Sequence, residues 1–273
     1  MHTHAPIGSP LAIVAALHEE IADLIARMPD EQRERHAGRD FWRGHLHGQP
    51  VVLVLCGIGK VAAATTAALL AERYRVGRIV FTGVAGGLGP GVRVGDLVLA
   101  RQFLQHDMDA SPLFPRHEVP GQGRSRFEAD ALITEALELA CERMITSLPA
   151  LLPPSAVQAF GLQSPRLHQG LLISGDRFVA TTTESQALQQ ELPDALAVEM
   201  EGAAMAQVCH DLGVRLAVVR TISDRADDAA HVDFPRFLRE VASRYSTAVV
   251  EALLTSASPV CGSTASAPRP TAP

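Results

Sequence analysis

A chain of 273 residues, 47% hydrophobic and 20% charged, can bury one large core and leaves no general case for disorder. Its net charge of −6, without a cluster of Lys and Arg, excludes a nucleic-acid backbone as partner. No apolar run approaches the ~20 residues that span a bilayer, and the start of the chain lacks the pattern of a signal peptide, so a soluble, cytoplasmic protein with no membrane partner is expected. Aromatics are only 4%, so the core must be aliphatic. Cys56, Cys141, Cys209 and Cys261 are widely spaced without a C-x-x-C pattern, which points to a reducing compartment and no disulfide framework.

In chain order, residues 1–9 read as a short mobile leader. Residues 11–16 are a continuous apolar run, hence a buried strand, and 19–28 carry apolar residues at helical spacing. The basic run 33–43, interrupted by Glu34 and Asp40, reads as a solvated helix and turn. Residues 50–55 are a second strand, 61–74 a small-residue helix, and 78–82 a third strand running into the glycine-rich stretch 83–91. A fourth strand is expected over 94–100, a helix over 129–143, and a proline-broken surface loop over 149–165. Strands over 170–176, 195–199 and 216–221 follow, then a closing helix over 234–254 with apolar Phe237, Leu238, Val241, Tyr245, Val249 and Leu253. The Ser-, Pro- and Ala-rich residues 256–273 predict a disordered tail. Apolar strands alternating with helices, without a linker or repeat, predict an α/β fold: one domain over 10–255, a three-layer α/β/α with a central, mostly parallel (mixed) twisted sheet.

Against this apolar background one strand end stands out. Glu199-Met200-Glu201 places two carboxylates where a strand meets the apolar helix that follows, a costly position without a partner or ligand. Strand ends of this kind are where α/β folds bind ligands. About twenty residues on, Arg220, Ser223 and Asp224 repeat the pattern, and Arg220 could neutralise one of the acids. Carboxylates flanking apolar segments favour a site over a structural ion pair.

Other constellations leave alternatives open. Glu19-Glu20 either offsets a helix N-terminus or supplies a general base from a cleft. Gly57-Ile58-Gly59-Lys60 is half a dinucleotide fingerprint, with Ala62 where a third glycine would stand, and is not a P-loop. What remains is a turn that brings backbone close to a ligand. Thr82-Gly83-Val84-Ala85-Gly86-Gly87 is either a tight structural turn or a backbone cradle for a small polar ligand. His106-Asp107-Met108-Asp109 lacks a fourth ligand and reads as a hydrogen-bonded turn, so no metal is expected. Phe178, beyond Asp176 at a strand end, either stacks on a flat ligand or packs in the core.

These pieces, His18-Glu19-Glu20-Ile21, Gly57-Ile58-Gly59-Lys60-Val61, the glycine stretch from Thr82 to Leu88, Val94-Gly95-Asp96, the run from His106 to Asp109, Ser174-Gly175-Asp176-Arg177-Phe178, the run from Ala197 to Glu201 and Ile222-Ser223-Asp224, carry a resemblance. Over about 11–254 the sequence resembles the bacterial 5′-methylthioadenosine/S-adenosylhomocysteine nucleosidases of the nucleoside phosphorylase/hydrolase superfamily. The resemblance implies a hydrolase that cleaves the N-glycosidic bond of a 5′-thio-substituted adenosine without a cofactor or metal, in methionine salvage and nucleoside catabolism, as a homodimer. By position, Glu20 would activate water with Arg220, and Glu201 would hold the ribose hydroxyls with Met200 against the sugar. Asp224 would protonate adenine N7, Phe178 would stack on the base and the Val179 backbone would read its edge. Ile58, Val84, Ala85, Gly86 and Ser223 would complete the substrate site, with Glu199 beside it in a structural part.

Water is the expected nucleophile, since the strand end Val80-Phe81-Thr82 lacks the arginine that phosphorylases of the superfamily bring to phosphate. The chain also departs from the family pattern. Val84 replaces a serine whose hydroxyl supports the acid, Leu17 replaces a methionine near the sugar, and 110–119, which helps line the 5′ pocket across the dimer, differs. Three alternatives follow: hydrolysis of futalosine or its 6-amino-6-deoxy form, an idle nucleoside-binding protein, and a phosphorylase.

Overall fold

A computed structural model describes residues 9–162, 164–227 and 234–256, without the side chain of Pro149. The expected leader at 1–8, the expected tail from 257 and Cys261 lie outside the described residues.

The aliphatic strand β1 (Leu11–Ala15) is buried throughout and leads through a 3₁₀ turn at His18–Glu20 into the short helix α1 (Ala22–Ala26). The basic run that follows is a β-hairpin, not a helix and turn: β2 (Gln32–His36) pairs antiparallel with β3 (Arg39–Leu46). Ala37 and Gly38, at φ of 47° and 77°, make the two-residue turn whose twist matches the strands. Cross-strand partners explain the charges. Arg33 lies opposite Trp42, with its guanidinium 5.8 Å from the ring centroid, and bonds Asp40 at 2.9 Å.

Strand β4 (Gln49–Leu55) joins β3 antiparallel and β1 parallel, and α2 (Lys60–Glu72) and β5 (Arg78–Phe81) follow. The glycine stretch contains a strand of its own, β6 (Val84–Gly87). β7 (Leu97–Gln105) begins later than expected, because Gly95 at φ 86° and Asp96 turn the chain before it. After β8 (Arg126–Glu128), α3 (Ala131–Leu151) runs well past 143, and α4 (Pro154–Phe160) occupies much of the segment expected as loop. Leu148, Leu152 and Ala156 are buried in the core, and that burial outweighs the prolines. Pro154 itself stands in the first turn of α4, where its missing N–H costs nothing.

The remaining elements are β9 (Leu167–Ser174), α5 (Thr182–Glu191), β10 (Ala195–Glu199), α6 (Gly202–Leu212) and the long β11 (Arg215–Asp224). The closing helix runs as α7 (Phe234–Phe237), a π-helical stretch Leu238–Ala242 and α8 (Ser243–Ser256), so Ser256 ends a helix.

The sheet is eleven-stranded, mixed and mostly parallel in its centre, in the order β2-β3-β4-β1-β5-β11-β6-β10-β9-β7-β8. A further pairing, β11 with β7, closes β11, β6, β10, β9 and β7 into a ring. Helices α1, α3 and α8 pack on one face and α2 and α6 on the other, which makes the three layers. Cys56, Cys141 and Cys209 are free and buried as small hydrophobes, and burial pushes the thiols of Cys141 and Cys209 up to about 12. No helix among the described residues is long and apolar enough to cross a membrane.

Direction reverses between β6 and β10, which run antiparallel, while β6 and β11 run parallel. Gly86 of β6 therefore lies between Val198 of β10 and Asp224 of β11. The end of β10 thus points back along β11 and meets it at Arg220. Such a switch in strand order opens a crevice.

Asp96 holds this region to the next strand. Its buried carboxylate accepts from Arg93 N at 2.9 Å and Arg166 N at 2.8 Å, and pairs with His168 Nε2 at 2.8 Å. Asp96→Ala leaves those donors without an acceptor, so urea unfolding should show a loss of about 2–3 kcal/mol. A loss under about 0.5 kcal/mol would show that water replaces the carboxylate.

Candidate active site

The crevice spans about 730 Å³ of space, counting the solvent at its open mouth. Glu20, Ile58, Val84, Ala85, Gly86, Phe178, Val179, Glu199, Met200, Glu201, Arg220, Ser223 and Asp224 all line it. They come from the turn after β1, the turn after β4, strand β6, the segment after β9, the β10–α6 junction and β11.

At its floor lies a buried ion pair. Arg220 Nη2 donates to Glu199 Oε2 at 2.7 Å, with both side chains at most 3% exposed. Glu199 is fully engaged by the protein. It also accepts from Ser174 Oγ and from the Glu201 and Gly202 N–H groups at the start of α6, where a carboxylate is favoured. The Arg220 guanidinium lies 3.9 Å from the centroid of the Phe81 ring. Its Nε and Nη1 are buried and have no hydrogen-bond partner among the described residues.

Glu20 stands near the same guanidinium, with Gly83 beside both. Its Oε2 accepts from the Ala16 and Leu17 N–H groups, both at 2.9 Å. Of the two neighbours, Glu19 is exposed, whereas Glu20 turns inward, 1% exposed, and also caps the N–H groups at the start of the turn. Burial pushes its carboxyl above the ordinary range, against the opposing pull of backbone N–H groups and Arg220. Gly83, at φ 152°, lies between the two groups. A Cβ there would stand 2.8 Å from Glu20 Oε1 and 3.1 Å from Arg220 Nη1, so only glycine leaves space beside them.

Glu201, one residue past Met200, accepts from Gly59 N at 2.8 Å and is 6% exposed. Burial, reinforced by the neighbouring Glu199, pushes its carboxyl up to about 7. Asp224 forms the opposite end of the site. Its Oδ2 accepts from Ser223 Oγ and its Oδ1 from Ala226 N, both at 2.7 Å. Burial raises this carboxyl too, although both of those bonds favour the charged form. Gly86 makes room here, since a Cβ would stand 3.0 Å from Asp224 Oδ1. With Val84 in the cleft wall, the hydroxyl beside the acid comes from its own neighbour, Ser223.

Phe178 is 51% exposed, so it is not core; its ring stands edge-on to Phe234, 6.1 Å between centroids. Ile58 is likewise exposed, while Val179 is buried, and both line the cleft. The run after β7 is a hydrogen-bonded turn: Asp109 Oδ1 accepts from Ser111 N at 2.9 Å, and Asp107 binds Lys60. Ala16, Arg177, Val198 and Phe234 also line the cleft and were not singled out from the sequence. Phe234 opens the closing helix, where an aromatic reads as core. Arg177 carried a signal only as the neighbour of Phe178.

The chain matches the family model of the phosphorylase superfamily over residues 10–255. It is 36% identical over 245 residues to the 5′-methylthioadenosine/S-adenosylhomocysteine nucleosidase of Geobacillus thermodenitrificans, covering 89% of this chain and 95% of that protein. The crystal structure of the nucleosidase from Neisseria meningitidis in complex with methylthio-immucillin-A superposes with a TM-score of 0.79 at 31% identity, covering 91% of this chain and 99% of the other. Futalosine hydrolase of Helicobacter pylori superposes with a TM-score of 0.78 at 27% identity, covering 91% and 98%. A match that spans the whole described fold, at this identity, makes the chain a member of the 5′-methylthioadenosine/S-adenosylhomocysteine nucleosidase family within the phosphorylase superfamily.

Proposed function

We propose that this chain hydrolyses the N-glycosidic bond of 5′-methylthioadenosine and S-adenosylhomocysteine, with Glu20 as base, Asp224 as acid and Glu201 as the sugar clamp. The observation that carries the reading is the division of one cleft into two ends. Glu20 and Arg220 flank an open space at Gly83, and the buried acid Asp224 faces Gly86 at the other end. A ribosyl group leaves most readily when its base is protonated and its own positive charge is met by carboxylates.

Burial favours the protonated form of Asp224, which can then give its proton to adenine N7 as the C1′–N9 bond breaks. Water held by Glu20 and the free N–H groups of Arg220 adds its oxygen to C1′ and gives its proton to Glu20. Adenine leaves with one proton gained, and the thioribose gains a hydroxyl. Glu201 receives the 2′- and 3′-hydroxyls beside Met200, Phe178 covers the base, and the Val179 backbone reads its edge. Ile58 and Phe234 give the mouth an apolar lining suited to a 5′-thio group.

The same reading places the catalytic unit at 10–255, in the cytoplasm, and its products in methionine salvage and nucleoside catabolism. It also makes the enzyme a homodimer, for which the exposed Leu113, Val61 and Ile58 supply apolar surface.

Product analysis on a small panel tests the substrate. Adenine should be released from methylthioadenosine and S-adenosylhomocysteine without phosphate, and Asp224→Asn should abolish release while binding persists. Hypoxanthine from futalosine, with no adenine from the first two, would move the enzyme to the alternative that the Helicobacter pylori structure represents. Gly83→Ala should cut kcat about a hundredfold in folded protein, because its methyl fills the space beside Glu20 and Arg220. Near-normal turnover would place the water elsewhere.

The pH profile of kcat/KM follows from opposing requirements. Glu20 and Glu201 must be ionised, so activity should fall as pH drops through about 7, where Glu201 takes up a proton. Asp224 must be protonated, so its ionisation should give the alkaline limb. Glu201→Gln should be slow and lack the step near 7; an unchanged step would assign it to another group.

A further inference from the structure

The motifs Gly57-Ile58-Gly59-Lys60, His106-Asp107 and Gly175-Asp176 lie outside the reacting groups, yet they meet at one point. We infer that Lys60, Asp107 and Asp176 form a closed polar cycle that positions Glu201, through Gly59, and so sets the enzyme's discrimination for the ribose hydroxyls. This rests on the assignment of Glu201 as the sugar clamp.

The cycle begins with an uncapped helix. Helix α2 starts at Lys60, and its N-cap, Gly59, has no side chain to accept a bond. The missing cap comes from 116 residues away: Lys60 N donates to Asp176 Oδ1 at 2.7 Å. Lys60 Nζ donates to Asp107 Oδ1 at 2.6 Å, and Asp107 Oδ2 accepts from Asp176 N at 2.9 Å. Each of the three residues thus bonds the other two, and each belongs to a different segment. Lys60 and Asp107 are partly shielded, with side chains 17% and 29% exposed, so their pair is not a freely solvated one. Partial burial works against the Asp107 charge, but Lys60 and the Asp176 N–H outweigh it and hold the carboxyl below its ordinary range.

The consequence falls on the residue before Lys60. Gly59 N donates to Glu201 Oε1 at 2.8 Å from a backbone at φ 97°. A Cβ on Gly59 would stand 3.0 Å from Asp176 Oδ1, so the turn is held close against the cycle. The Gly59 N–H can aim at Glu201 only while Lys60 is fixed on both its backbone and side-chain nitrogen. Releasing either bond frees the turn and lets the Glu201 carboxylate rotate away from the place where two hydroxyls must meet it. Lys60, Asp107 and Asp176 are positioning residues, remote from the reacting atoms.

The test compares kcat/KM for methylthioadenosine and its 2′-deoxy analogue in the full chain, for the wild type, Lys60→Met, Asp107→Asn, Lys60→Arg and Glu201→Gln. A simple loss of folded enzyme lowers both substrates equally and leaves the ratio unchanged. The ribo-to-deoxy ratio should fall about tenfold or more in Lys60→Met and Asp107→Asn, with partial recovery in Lys60→Arg. A wild-type ratio in the first two variants, alongside a collapsed ratio in Glu201→Gln, would overturn the cycle alone. A ratio preserved in Glu201→Gln would overturn the clamp and the inference together.

Discussion

The site depends on a single buried cation. Arg220 is 1% exposed in the middle of a long strand, and a guanidinium in that position is tolerated only with a carboxylate in contact. Glu199 provides it, and breaking such a pair by removing one partner typically costs about 3–5 kcal/mol. Glu199 also binds the first N–H groups of α6, so one carboxylate fixes both the arginine and the helix that starts after Glu201. The placement of the other two acids around Arg220 follows from this pair. Glu201 emerges from the turn that Glu199 holds, and Glu20 enters from the turn after β1, against two backbone N–H groups.

The topology makes that meeting possible. In a fully parallel sheet the ends of β10 and β11 would lie on one edge, and Glu199 would stand beside Asp224. Because β10 runs antiparallel to β6, Glu199 at its end reaches Arg220 of β11 instead, four residues before Asp224. The closure of β11 on β7 holds the arrangement from the other side. Glu20 and Asp224 are thereby held apart, one beside Gly83 just before β6 and the other beside Gly86 near its end, and the small residues Ala85, Gly86 and Gly87 leave room for a ligand.

These relations decide what could be read from the residues alone. Aliphatic runs such as 11–15 and 195–198 announce buried strands, and the acids that follow them announce a site, because both follow from local burial. The β2–β3 hairpin was illegible as a strand pair, since its alternating Arg, Glu and Asp find their meaning only in the cross-strand partner. The same holds for the helix at 154–160, where tertiary burial overrides proline. Asp176 as the cap of α2, the closed ring of strands and the inward turn of Glu20 rather than Glu19 are all long-range relations without a local signature. Family motifs brought forward residues that line one cleft, but only the register gives each acid its distinct surroundings.

Those surroundings also bear on the chemistry. Glu199 already pairs with Arg220, which is also the cation that draws the Glu20 and Glu201 carboxyls down, and burial outweighs that pull and raises both. Burial therefore opposes their ionisation. On the proposed mechanism the missing positive charge is supplied by the substrate, as the sugar becomes cationic during departure of the base. The carboxylates are then stabilised most in the transition state and least before it, which is the differential interaction that accelerates a reaction. Asp224 stands outside this group, with Asp227 as its charged neighbour rather than Arg220. On the proposed mechanism its proton goes to the leaving base, while the charge at the other end serves the sugar.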